Sequence, residues 1–117
     1  MLPKTAVQLP FSGPDTTVAA ATQSILDDTS PVTGLLKSIT LHFPDGCNAL
    51  VEITIYLQNM RVLPLNNKIA LNNTTVTFEV NRPIKKSDKL RAVIANKDSV
   101  NSHTPSIIFN IEGLANG

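Results

Sequence analysis

The chain has 117 residues, of which 42% are hydrophobic, 16% charged and 4% aromatic, and its formal net charge is +1. That length makes one domain, burying roughly two-thirds of its unfolded surface. The near-neutral balance excludes a strong overall field for steering onto DNA or anionic lipid, and one cysteine excludes disulfide scaffolds and cysteine-based zinc modules.

The N-terminal stretch Met-Leu-Pro-Lys-Thr-Ala-Val-Gln-Leu-Pro has no apolar run behind basic residues, so no secretory signal is expected in it. No apolar stretch approaches the roughly 20 residues of a membrane-spanning helix. The expectation is a soluble protein made in the cytoplasm, without a membrane partner. Residues 1–15 read as an extended arm, and residues 16–117 as a single domain. The arm is apolar at Leu2, Val7, Leu9 and Phe11, and these four are the candidate interface residues. They must be covered, either by the chain's own domain or by a neighbouring copy. Phe11-Ser12-Gly13-Pro14-Asp15 reads as a turn.

Val18, Ala21, Thr22 and Ile25 stand at helical spacing, yet the same stretch is rich in β-branched residues, which predicts an extended segment near 17–26. Asp27-Asp28 ahead of Thr29-Ser30-Pro31 reads as a loop. From Gly34 onward the period is two: Leu35, Ile39, Leu41 and Phe43 fall on one side, Ser38, Thr40 and His42 on the other. Pro44-Asp45-Gly46 forms a turn, because proline presets φ and glycine supplies φ > 0. Ala49, Val51, Ile53, Ile55 and Leu57 then alternate with Leu50, Glu52, Thr54, Tyr56 and Gln58. Short strands near 61–63 and 68–71 flank Pro64 and an Asn66-Asn67 turn. Further strands follow at 75–80, 89–95 and 106–111, with Asn81-Arg82-Pro83 and Asn96-Lys97-Asp98-Ser99 as loops. About six to eight strands with turn signals between them describe an all-β antiparallel sandwich, jelly-roll-like, with an extended N-terminal arm. Without helical crossovers a parallel α/β sheet is excluded.

Catalysis by a nucleophile needs a base and an orienting group. His42, His103 and Cys47 are the only histidines and cysteine. His42 and Cys47 straddle the Pro44–Gly46 turn, but nothing marks a cleft or a third group. A copper site needs two histidines and a cysteine around one metal, and the order of Cys47 and His103 does not fit it. Asp27, Asp28 and Asp98 lack the spacing of a calcium loop. The five glycines are scattered, so no phosphate loop is present. The chain is therefore expected to be no enzyme and to need no cofactor. The sequons at Asn72 and Asn73 would matter only with secretion.

Charge is uneven along the chain. Residues 1–60 carry −3 and residues 61–117 carry +4, which suits contacts between neighbouring copies. Arg82, Lys85, Lys86, Lys89 and Arg91 form a candidate basic patch, with Lys97 close behind. Single-strand nucleic-acid binding also needs aromatic stacking platforms. With one Tyr and four Phe, mostly at core-facing spacing, the run reads instead as a solvated edge that discourages aggregation. The absence of Trp also weighs against sugar stacking, although Asn/Thr-rich loops at 66–75 and 96–104 keep a glycan- or cell-surface-binding module as the alternative.

The stretch Ile39–Gln58, opening Ile-Thr-Leu-His-Phe-Pro-Asp-Gly-Cys, resembles small single-domain β-sandwich structural proteins of viruses and phages. So does the run Asn81–Ile111, with Asn-Arg-Pro-Ile-Lys-Lys-Ser-Asp. The resemblance implies a non-enzymatic subunit of a capsid, decoration or turret that associates with copies of itself and with other virion proteins. The expected location is the virion.

Overall fold

The computed structural model describes residues 4–11, 16–64 and 68–114. Eight strands occur in the order β1 (Lys4–Phe11), β2 (Gln23–Thr29), β3 (Gly34–Phe43), β4 (Val51–Leu57), β5 (Met60–Leu63), β6 (Thr74–Ile84), β7 (Lys89–Asn96) and β8 (Ser106–Leu114). They form two four-stranded antiparallel sheets, ordered β1-β8-β3-β6 and β2-β7-β4-β5. The fold is a β-sandwich. Within it, β1 pairs with β8, β2 with β7, β3 with β6 and β4 with β5, so the chain is nested from its outermost strands inward.

Alternation builds the core. The central strands β3, β8, β4 and β7 bury Leu36, Ile39, Leu41, Phe43, Ile107, Phe109, Ile111, Val51, Ile53, Ile55, Leu90, Ala92 and Ile94 in one cluster between the sheets. Each Val, Leu, Ile or Phe among them contributes about 1.5–3 kcal/mol when fully removed from water. The innermost hairpin closes tightly, because Leu57 faces Met60 across only Gln58 and Asn59. Both turn residues have positive φ (51° and 67°), the geometry whose twist matches the flanking strands.

The register differs from the expected alternation at one place. Leu36, not Leu35, joins Ile39, Leu41 and Phe43 inside, because the ladder shifts between Leu36 and Ser38. Against β8 Lys37 is the extra residue, since Leu36 pairs with Ile111 and Ser38 with the adjacent Asn110. Against β6 Lys37 lies opposite two residues, Val80 and Asn81, and Asn81 takes φ 51°. One extra residue exchanges the faces of everything before it. This bulge also corrects the reading of Asn81-Arg82-Pro83 as a loop: β6 continues through it to Ile84. An edge strand tolerates proline, since the missing N–H can lie on the unpaired side.

Three further readings change. The extended segment expected at 17–26 becomes β2, shifted to Gln23–Thr29, so Asp27 and Asp28 lie in a strand and not in a loop. Ala19–Ala21 instead makes a turn, with Ala21 at φ 57°. Residues 68–71 form no strand, although Ile69 O accepts from Ile53 N (3.1 Å) and Leu71 O from Ala49 N (3.4 Å). The Asn66-Asn67 turn lies outside the described residues.

Gly34 faces Gly113 across β3 and β8. A Cβ on Gly34 would run into the Glu112 carbonyl, and one on Gly113 would approach Val32 Cγ2 to 2.7 Å. The backbone approach at Gly34 admits only glycine, and at Gly113 it is the Val32 side chain that would have to move.

Candidate assembly surfaces

Residues 4–11 of the expected arm are the edge strand β1, paired along its length with β8 from Lys4↔Leu114 to Phe11↔Ile107. Val7, Leu9 and Phe11 point inward. Phe11 is buried edge-to-face against Phe109, with ring centroids 5.5 Å apart, and Val7 and Leu9 are half-buried against the core. The structure thus spends these three candidate interface side chains on the chain's own sandwich, because period two sends alternate residues of a paired strand inward. Leu2 and the turn at 12–15 lie outside the described residues. What β1 leaves open is its backbone: its far side has no partner strand among the described residues.

The basic patch is divided among three places. Arg82 is on β6 in the first sheet, Lys85 and Lys86 follow in the β6–β7 connection, and Lys89 and Arg91 are on β7 in the second sheet. Arg91 grips Asp27 of β2 in a two-point ion pair (Nε to Oδ1 2.7 Å, Nη2 to Oδ2 3.1 Å), with Lys89 Nζ 3.8 Å from Oδ2. The Arg91 guanidinium holds the Asp27 carboxyl below its usual range. The connection itself is laced to backbone: Lys85 N donates to Asp88 Oδ2 (2.8 Å) and Lys86 N to Thr33 Oγ1 (3.0 Å). Sequence proximity therefore overstated the patch as a single surface.

His42 and Cys47 are separated by the sheet. His42 is on the outer face, hydrogen-bonded through Nδ1 to Thr75 Oγ1 (2.8 Å). Cys47 is fully buried in the core, where desolvation pushes its thiol pKa up. The turn around it is held from outside by Asn72, whose Oδ1 accepts from Gly46 N and Asn48 N, both at 2.9 Å. That gives one sequon asparagine a structural task.

His103 and Asp98 meet at one end of the sandwich. His103 Nε2 donates to Asp98 Oδ2 (2.8 Å), and the same carboxylate accepts from Val100 N (2.9 Å), Asn101 N (3.2 Å) and Asn101 Nδ2 (3.4 Å). The Val100 amide, then His103 and Asn101, hold Asp98 far below the usual carboxylate range. With its lone pairs taken up by these donors, the carboxylate works as a loop clamp. Asn96, buried at the end of β7, completes this clamp. Its Nδ2 reaches the carbonyls of Val18 (3.0 Å), Ala19 (3.3 Å) and Asn101 (2.9 Å), and its Oδ1 accepts from Asp98 N (2.9 Å). The sequence offered no signal for this role beyond placing Asn96 in a loop.

The outer face of the first sheet carries a hydrogen-bonded network that crosses all four strands. Gln8 Nε2 donates to Asn110 Oδ1 (3.3 Å), and Asn110 Nδ2 reaches Ser38 Oγ and Thr40 Oγ1 (3.1 Å each). Thr40 and Thr77 hydroxyls are 2.9 Å apart. Every member of the network is uncharged, and Lys37 and Glu79 lie beside it on the same face.

At the opposite edge, where the sheets part, Leu63, Pro64, Ile69, Leu71 and Phe78 line an open cleft of about 380 Å³ with Lys68 and Glu79 at its rim. Among the described residues no group of three or more His, Cys, Asp and Glu is placed to hold a metal ion. No described helix is long and apolar enough to cross a membrane.

No family model matches the chain, and no curated protein matches it. Among solved structures it is similar to the crystal structure of FlhE, with 13% identity, a TM-score of 0.53, and coverage of 92% of this chain and 96% of that one. The likeness is one of fold. A family two carbohydrate esterase from Cellvibrio japonicus is similar at 12% identity with a TM-score of 0.41, over 95% of this chain and 35% of the esterase chain.

Proposed function

We propose that the chain is a non-enzymatic structural subunit that assembles with copies of itself, as a capsid, decoration or turret protein of a virion does. The observation that carries this reading is the nested pairing, first strand with last and so on inward, over two sheets ordered β1-β8-β3-β6 and β2-β7-β4-β5. This order supports reading the sandwich as a jelly roll, an architecture that serves capsid shells as well as lectins and cupins. Two features favour assembly over catalysis. The histidines and the cysteine are committed separately, His42 to Thr75, His103 to Asp98 and Cys47 to the core. The first sheet also offers an outer face whose centre is an uncharged hydrogen-bonded network, and symmetric repetition multiplies modest contacts of that kind across many copies. Mass measurement by light scattering on the eluting full chain, across a concentration series, is expected to show closed oligomers or larger assemblies. A strict monomer at every concentration refutes the reading.

A glycan-binding module is the second reading, supported by the amide and hydroxyl groups of Gln8, Asn110, Ser38, Thr40 and Thr77. It ranks lower because these groups already satisfy one another. Binding of the monomer on a glycan array would reverse that order.

A further inference from the structure

Resting on that assembly reading, we propose that β1 is the joining edge, and that two copies meet there antiparallel about a two-fold axis to form one sheet continuous across both. Each sandwich has four sheet edges, and an open edge is a template for another strand unless something blunts it. Three of the four are blunted. β2 carries Asp28 beside the ion-paired Asp27, β5 has only 4 residues, and β6 is broken by the bulge at Val80–Asn81 and carries Glu79, Arg82 and Pro83. β1 differs: it is 8 residues long and uncharged from Thr5 to Phe11.

Pro10 sets the register. It is paired with Ile108 of β8, and a proline keeps its place in an edge strand by turning its nitrogen to the open side. Alternation then puts the N–H and C=O of Ala6 and Gln8, and those of Lys4, on that same open side. Pro10 itself offers no donor there. The pairing that uses every open donor and bypasses Pro10 sets Ala6 against the mate's Ala6, with Lys4 against Gln8 on either side, for about six ladder hydrogen bonds. Charge selects the direction. Antiparallel pairing in this register holds the two Lys4 residues about 13 Å apart along the strands, beyond the screening length of about 8 Å at physiological salt. A parallel pair would bring them side by side.

The test uses the full chain, in sedimentation equilibrium, with Ala6→Pro and Ala6→Lys. Proline at Ala6 removes an outward N–H and leaves the β8 ladder intact, and lysine puts two like charges at the two-fold axis. Both variants are expected to keep the wild-type circular dichroism spectrum and to weaken association about tenfold or more. Ala6→Cys is expected to give a covalent dimer with a short bis-maleimide cross-linker, since opposed Cβ atoms at a hydrogen-bonded pair lie about 5.5 Å apart, whereas Thr77→Cys is not. The outcomes separate the two ideas. A wild-type chain that stays monomeric sinks the assembly reading itself. A wild-type oligomer that neither substitution weakens, and that Ala6→Cys does not cross-link, keeps that reading and overturns the β1 edge.

Discussion

Replacing Asn96 by alanine removes four hydrogen bonds with one side chain: three donated to the carbonyls of Val18, Ala19 and Asn101, and one accepted from Asp98 N. Asn96 is 2% exposed, so water does not replace all of them. Val18 O keeps its bond from His103 N (3.1 Å), and Ala19 O keeps those from Thr22 N (3.2 Å) and Thr22 Oγ1 (2.7 Å), so these two lose least. Asp98 N loses its only side-chain acceptor in a buried position. A buried orphan costs about 1–3 kcal/mol and each of the wetter bonds about 0.5–1.5 kcal/mol, so the total is about 3 kcal/mol. Unfolding entropy of about 2.1 cal/mol/K per residue, over 117 residues, converts this to a fall of about 12 °C in the melting midpoint. Differential scanning calorimetry measures that shift. Amide exchange should locate it at 16–22 and 97–104, with the β4 and β7 ladders opening only globally. A fall of less than about 3 °C would refute the clamp, because it would mean these four bonds are no better than bonds to water.

Acid is expected to loosen the same end. Asp98 is ionised more easily in the folded chain than at its ordinary value of 3.8, so its stabilising contribution is complete above that value. The contribution is lost as pH falls through 3.8 toward the lower folded value. Asp98→Asn should therefore flatten the acid limb of a plot of melting midpoint against pH, and an unchanged slope would show that the carboxylate's charge is irrelevant. Phe109→Ala opens a cavity at the centre of the sandwich and should cost about 3–5 kcal/mol in urea unfolding. A double-mutant cycle with Phe11→Ala should show a coupling of about 0.5–1.5 kcal/mol from the edge-to-face pair, and zero coupling would detach β1 from the core.

The sandwich was legible wherever one face of a strand is buried and the other wet. Val51 to Leu57 alternates without interruption and appears as β4. Legibility failed where a single residue broke the period. Lys37 bulges, so Leu36 replaced Leu35 inside, and Asn81-Arg82-Pro83 carried loop residues into a strand whose unpaired side tolerates them. Asp27-Asp28 read as a loop because the residue that neutralises Asp27, Arg91, is on β7 and far along the chain. The clamp at Asn96 was hidden for the same reason: its partners come from residues 18, 19, 98 and 101, and local sequence carries no record of such a meeting. The division of the basic patch depends on which sheet each strand enters, and periodicity does not specify that.

The nested pairing also imposes an order in time. The hairpin of β4 and β5 closes across two residues, whereas β1 finds its place only when β8 exists, joining Lys4 to Leu114. Loop-closure entropy favours the short closure first and the long one last. The sandwich therefore winds from its middle outward, and β1 is the last strand to dock and the first to peel away. During synthesis the first strand waits unpaired until β8 has been made. Pulse-labelled exchange during refolding should show protection reaching β4 and β5 before β1, and early protection of β1 would reverse the order.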